Sequence, residues 1–302
     1  MARATPTLHT ERKPLSLDVE FLRKLEHLQI VSRRAFNGQN RGERLARRRG
    51  HGLEFADHRA YAPGDDFRRI DWNVFKRLNR LLLRLFDEEQ ELPVYLFLDA
   101  SGSMSAPGKF DHARRVAAAL CYIALSNFDH VTLAAFDEGL GHELTSGRGK
   151  GGIFPVFQQL ERMTPHGTTD LTNTFKMFAN RPRRRGVAVV ISDFLDPRGF
   201  DTALKTLGIL GHDVFVVHLI TPSDGECGGV GDMRFIDAET GESRDMDVTP
   251  ALAASYRRAW AAHASDLETF CDRYRLAYVS ADSTQPFEDV ILGAFRQEGF
   301  LA

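Results

Sequence analysis

The chain has 302 residues, of which 43% are apolar and 26% charged, and a formal net charge of −2. That length gives a real core in one large or two ordinary domains, and the near-neutral balance excludes a chain organised as a whole around nucleic acid or an anionic membrane. Three cysteines (Cys121, Cys227, Cys271) are odd in number and widely spaced, which excludes a disulfide framework or a zinc site and favours reduced, cytoplasmic surroundings.

Residues 1–15 read as a disordered lead-in, and Met1 to Pro14 carries no apolar core for export. No apolar stretch approaches the roughly 20 residues of a membrane span. Residues 16–91 read as an amino-terminal helix and β-hairpin segment, and residues 92–302 as a second domain. Leu17, Phe21, Leu25, Leu28 and Ile30 recur at helical spacing and predict one helix from Ser16 to Arg34. Arg41, Arg44, Arg47, Arg48 and Arg49 follow without interleaved aromatics, which reads as a solvated face or a patch for an acidic protein rather than a nucleic-acid reader. A strand from Leu53 to Tyr61, a Pro63-Gly64 turn, a short helix entering at Asp65 and a second strand from Leu81 to Glu89 form an antiparallel unit. Between the strands, Asp65, Asp66, Arg68, Arg69 and Asp71, with Arg59, predict a paired charge cluster around Trp72, the tryptophan acting as its anchor.

The stretch Val94 to Met104 organises the rest. An apolar, aromatic and β-branched run bounded by Pro93 stops at Asp99, and hydroxyls follow at Ser101 and Ser103. The run reads as a strand buried on both faces and therefore parallel. Its polar end lies where open α/β sheets bind ligands. A helix from Lys109 to Phe128, a strand from Val131 to Phe136 and a glycine-containing loop from Gly139 to Gly152 come next. Lys150 in that loop is followed by Gly151, not by Ser or Thr, so the loop is not a nucleotide-binding one. Helices at 153–163 and 170–179 flank a turn, Gly167-Thr168-Thr169-Asp170. A second buried strand, Gly186 to Ser192, also ends in an aspartate, Asp193. A helix (199–210), a strand (214–220), a hairpin (233–248), a long helix opened by Thr249-Pro250, a strand (276–280) and a last helix (286–295) complete the chain. The alternation implies a doubly wound, mostly parallel, Rossmann-like sheet.

Each polar residue has an ordinary reading by itself. Asp99 or Asp193 can cap a helix, and Ser101 and Ser103 can be turn residues. Those readings do not explain why all fall at one sheet edge. A hydrolase fares worse: a strand-end aspartate nucleophile wants a second Asp two residues on, where Ser101 stands. No Gly-x-Ser-x-Gly elbow is present, and the histidines are scattered. No catalytic residue is expected.

Asp99-x-Ser101-x-Ser103, the Thr169-Asp170-Leu171 loop and Asp193, in that order, resemble the metal-ion-dependent adhesion site of von Willebrand factor A-type domains. The resemblance implies that Asp99, Ser101, Ser103, Thr169 and Asp193 hold Mg²⁺ or Mn²⁺, hydroxyls in contact and carboxylates mostly one water away. Glu54-Phe55 and Arg59-x-Tyr61-x-x-Gly64-Asp65-Asp66-x-Arg68-x-Ile70-Asp71-Trp72 resemble the domain-of-unknown-function 58 family, whose members join such a segment to an A-type domain. Many members carry membrane helices; this chain shows none, so a membrane location is not implied. The family implies a non-enzymatic adaptor that captures a partner's carboxylate and works with a MoxR-type AAA+ ATPase in protein remodelling or maturation. A metal-dependent phosphatase or nuclease and a scaffold with a non-functional site are the alternatives.

Overall fold

The computed structural model describes residues 19–28, 30, 55–62, 65, 67, 70–86, 92–147, 149–294 and 301. It contains two compact units: residues 1–34 with 92–302, and residues 35–91. The helix expected to open the 16–91 segment therefore groups with the larger unit. That helix, α1 (Val19–Leu25), is much shorter than the stretch predicted, and Ile30 pairs instead with Leu301 as an isolated bridge.

In the smaller unit β1 (Phe55–Ala60) pairs antiparallel with β2 (Leu82–Phe86), as expected. The helix between them, α2, runs Trp72–Leu78 and is entered at Asp71. Asp71 Oδ1 accepts the Asn73 and Val74 N–H groups at 3.0 and 3.1 Å, while Oδ2 lies 3.1 Å from His58 Nε2. Asp71 is thus a helix cap bound to a histidine. Asp65 accepts the Ala62 N–H. Trp72 is 54% exposed, so it is not a buried anchor; its ring meets Phe75 edge-on. Asp66, Arg68, Arg69, the Arg59 side chain, the Pro63-Gly64 turn and the arginine run 41–49 lie outside the described residues.

The larger unit is built on a six-stranded sheet in the order β10-β7-β6-β3-β4-β5. Its strands are β3 (Pro93–Asp99), β4 (His130–Phe136), β5 (Leu140–Ser146), β6 (Val187–Ser192), β7 (Asp213–Ile220) and β10 (Ala277–Asp282). All pairs are parallel except β4–β5. This is the doubly wound, mostly parallel α/β fold expected. β5 corrects the sequence reading, which took 139–152 as one loop. All but Ser146 are exposed or half-exposed and four of the seven are polar, as a terminal strand allows, so they carry no continuous buried apolar signal.

Alternation along β3 divides the core. Tyr95 and Phe97 join Phe136, Phe175, Phe178, Val190 and Phe194 in one cluster, covered by α5 (Leu171–Ala179), α6 (Asp201–Ile209) and α7 (Pro250–Tyr274). Phe97 meets Phe175 and Phe178 edge-on, with centroids 5.1 and 4.9 Å apart. The other face is covered by α3 (Lys109–Ser126), 15 of whose 18 residues are buried, because α1 and α4 (Ile153–Arg162) pack on its outer side. The hairpin of β8 (Gly231–Ile236) and β9 (Ser243–Val248) forms a separate two-stranded sheet. Among the described residues no helix is long and apolar enough to cross a membrane.

Candidate functional site

The strand order reverses between β3 and β6: β3 leads outward to β4 and β5, and β6 returns on its other side. In open α/β sheets the crevice at such a switch point, beyond the carboxyl ends, is the binding edge. Register places Leu98 opposite Ile191, so Asp99 and Ser192 end their strands side by side. The Ser192 hydroxyl donates to Asp99 Oδ2, and the Ser101 N–H donates to Oδ1 at 2.9 Å. The hydroxyls of Ser101 and Ser103 lie 3.0 Å apart. Two backbone bonds tie the threonine turn to this loop, Gly102 N–H to Gly167 O (2.9 Å) and His166 N–H to Ala100 O (2.7 Å). Thr169 is fully buried beside it, whereas Thr168 is half-exposed.

Asp99 and Asp193 are both fully buried. Burial first, and then the negative charge of Asp193, push the Asp99 carboxyl up to about 7 against the opposing hydrogen bonds from Ser192 and Ser101. The two aspartates therefore share one electrostatic environment. Asp193 is followed by Phe194, a non-glycine residue at φ 57°, whose buried ring is wedged against Phe200 and His218.

Several residues at this edge were not singled out from sequence. Lys109, only 1% exposed, donates to Asp193 Oδ2 at 2.7 Å and to Asp224 Oδ2 at 3.1 Å. Burial disfavours its charge, yet the two carboxylates outweigh that and raise its pKa. A cation at the first residue of a helix opposes the helix dipole, and that local mismatch is the signal that could have found it. Asp196 accepts the Leu171 and Arg198 N–H groups, each at 2.8 Å. Arg198 reaches the Thr169 carbonyl at 2.9 Å and Asp170 at 2.6 Å. Together they fix the threonine turn. Glu239, from the tip of the β8–β9 hairpin, accepts the Thr169 hydroxyl at 2.7 Å on Oε1 and the Thr169 N–H at 3.2 Å on Oε2.

Among the described residues no group of three or more His, Cys, Asp or Glu side chains is arranged to hold a metal. A metal at this edge would therefore depend on hydroxyls. The donors present, three hydroxyls and two carboxylates, are hard oxygens of the type Mg²⁺ and Mn²⁺ take. The raised proton affinity of Asp99 marks an excess of buried negative charge that a divalent cation would neutralise. On both grounds the residues fit such an ion.

Residues 57–266 match the family model described as "Protein of unknown function DUF58". An uncharacterized protein of Mycobacterium tuberculosis is 29% identical over 257 residues, spanning 83% of this chain and 81% of the relative. An uncharacterized protein of Mycobacterium avium is 35% identical over 98 residues, 32% of this chain and 57% of that protein. Of solved structures, the conserved hypothetical protein BatB from Bacteroides thetaiotaomicron is similar at 15% identity and a TM-score of 0.42, over 69% of this chain and 98% of that one. An aerotolerance-related membrane protein from Bacteroides fragilis is similar at 18% identity and a TM-score of 0.42, over 68% and 99%.

Proposed function

We propose that this chain, which belongs to the DUF58 family, is a non-enzymatic protein-binding adaptor whose sheet edge captures a partner's carboxylate through a divalent cation. The observation that carries the reading is the tying of three distant stretches to one sheet edge: Asp99 accepts from the Ser101 N–H and from Ser192, the neighbour of Asp193, the Ser101 and Ser103 hydroxyls lie together, and backbone bonds hold the threonine turn to that loop. Ser101, Ser103 and Thr169 would hold Mg²⁺ or Mn²⁺, with Asp99 and Asp193 behind them. Hydroxyls bring no charge, so the bound ion would supply an electrophilic centre for one further carboxylate oxygen. Ser192 and the Ser101 N–H orient Asp99, and Lys109 holds Asp193 in place. The family resemblance suggests a MoxR-type AAA+ ATPase as partner, in the cytoplasm, during remodelling or maturation of a client.

A second reading has its own observation. Lys109 already neutralises Asp193, which is what a scaffold without metal would have. One experiment separates the readings: co-purification of a MoxR-type ATPase with the tagged chain in Mg²⁺ and in EDTA, for wild type and Ser101→Ala. Capture that needs Mg²⁺ and is lost in Ser101→Ala supports the adaptor. Capture indifferent to both supports the scaffold. Mg²⁺-dependent hydrolysis of a phosphate ester that Asp99→Ala abolishes would overturn both.

A further inference from the structure

The hairpin of β8 and β9 forms its own small sheet; β8 alternates half-buried and exposed residues, and β9 is exposed up to the buried Val248. Its tip is rigidly shaped. Asp237 Oδ1 accepts the Glu239 and Thr240 N–H groups at 2.8 and 2.9 Å, and Asp237 N–H donates to Glu242 O at 2.8 Å. Within the tip only Glu239 is half-buried, and its two carboxylate oxygens divide between the hydroxyl and the N–H of Thr169. The backbone follows the side chain in. A Cβ on Gly102 would stand 2.3 Å from the Ala238 carbonyl oxygen and 2.9 Å from the Glu239 Cα. Gly102 is thus the one residue between Ser101 and Ser103 that lets another backbone lie on the loop. At the base of the hairpin Gly228, Gly229 and Gly231 have φ of 72°, 151° and 116°. These values favour glycine, and the run supplies a pivot.

We infer that Glu239 is a resident carboxylate occupying the position a partner's Asp or Glu takes, and that the partner presents the same shape: an acidic side chain on a tight turn whose backbone lies on Gly102. The inference rests on the carboxylate-capture reading above and gives it a partner class. The turn must lie flat on the loop because the Ala238 carbonyl passes directly over Gly102, where any side chain on residue 102 would meet it. A tethered competitor has an effective concentration in the millimolar range. It lowers apparent affinity for an outside carboxylate by the fraction of time the site is already filled. Partner binding then needs the hairpin to swing away, and the three glycines give it the means.

The test uses the full chain and a fluorescein-labelled cyclic peptide of residues 237–242, Asp-Ala-Glu-Thr-Gly-Glu, followed by fluorescence polarisation with Mg²⁺. Glu239→Ala and Glu239→Gln are compared with wild type, matched melting curves reporting intact folding. Backbone hydrogen exchange of residues 237–242 is read on the same samples. The expected result is at least tenfold tighter peptide binding by both variants, lost in EDTA, with faster exchange at the hairpin tip. Equal, Mg²⁺-dependent binding by wild type and variants overturns the resident-ligand inference and leaves carboxylate capture standing. Binding by none of the three overturns both. Unchanged exchange at 237–242 in the variants also overturns the inference, since the tip would not depend on the contact.

Discussion

Replacing Lys109 by Met removes one ammonium and keeps most of the apolar stem. The side chain is 1% exposed and sits between Asp193, fully buried, and Asp224, 12% exposed. Removing one partner of such a buried cluster leaves carboxylates uncompensated, at a cost of about 3–5 kcal/mol. For a domain of this size that corresponds to a fall in Tm of roughly 6–20 °C. The measurement is differential scanning fluorimetry in EDTA at pH 7.5. The sign of the linkage favours that pH: the Lys109 pKa is raised above 10.5, so its stabilisation is complete at neutral pH and is lost only as pH climbs through the raised value. A second variant, Lys109→Met with Asp193→Asn, removes charge of both signs and should recover at least half of the lost Tm. Lys109→Met melting within about 2 °C of wild type, or a double variant no more stable than the single, would refute the view that this buried triad holds Asp193 in place.

Three further outcomes are expected. Mg²⁺ at a hundredfold excess over its Kd raises stability by about 2.7 kcal/mol, and Ser101→Ala and Thr169→Ala each abolish the shift; a shift surviving both would dismiss the hydroxyls as ligands. His218 is fully buried, and burial first, with its neighbour His263, pushes its pKa down to about 4 from 6.5. The folded state keeps it neutral while the unfolded chain takes up a proton, so stability falls as pH drops from 6.5 towards 4, by up to about 3 kcal/mol. His218→Phe should flatten that part of the urea midpoint against pH profile, and an unchanged slope would assign the acid sensitivity elsewhere. Asp71→Ala removes the cap of α2 and the partner of His58, costing about 1–2 kcal/mol. It should speed hydrogen exchange in residues 72–78, and equal exchange would deny Asp71 that role.

How far the residues alone reveal this molecule depends on range. β3 and β6 were legible because a strand covered on both faces must be apolar throughout, so each run ends visibly where its aspartate begins. α5 was legible from Asp170, whose carboxylate accepts the Asn173 N–H at 2.7 Å. The hairpin and the Thr249 cap were equally local in origin, and so were read correctly. Failures came where the determining partner is remote. The helical spacing after Ser16 overshoots: the helix stops at Leu25, and Ile30 pairs with Leu301, 271 positions away. β5 hides among glycines because, among the described residues, it pairs with β4 alone and most of its side chains are exposed or half-exposed. Of the candidate site, sequence order pointed to Asp99, Ser101, Ser103, Thr169 and Asp193 but not to the side chains that hold them. Lys109, Ser192 and Glu239 act on residues 84, 93 and 70 positions distant, and no spacing rule connects such pairs.

Phe194 carries a consequence for how this edge can change. Its backbone sits in a region costing a bulky residue about 1–3 kcal/mol, and it persists because the ring is clamped by Phe200 and His218. The peptide that aims Asp193 is therefore cantilevered from the hydrophobic interior. Trimming Phe200 would slacken the clamp and let the neighbouring carboxylate wander. Tuning the rim by selection or design thus begins among the aromatic rings beneath it.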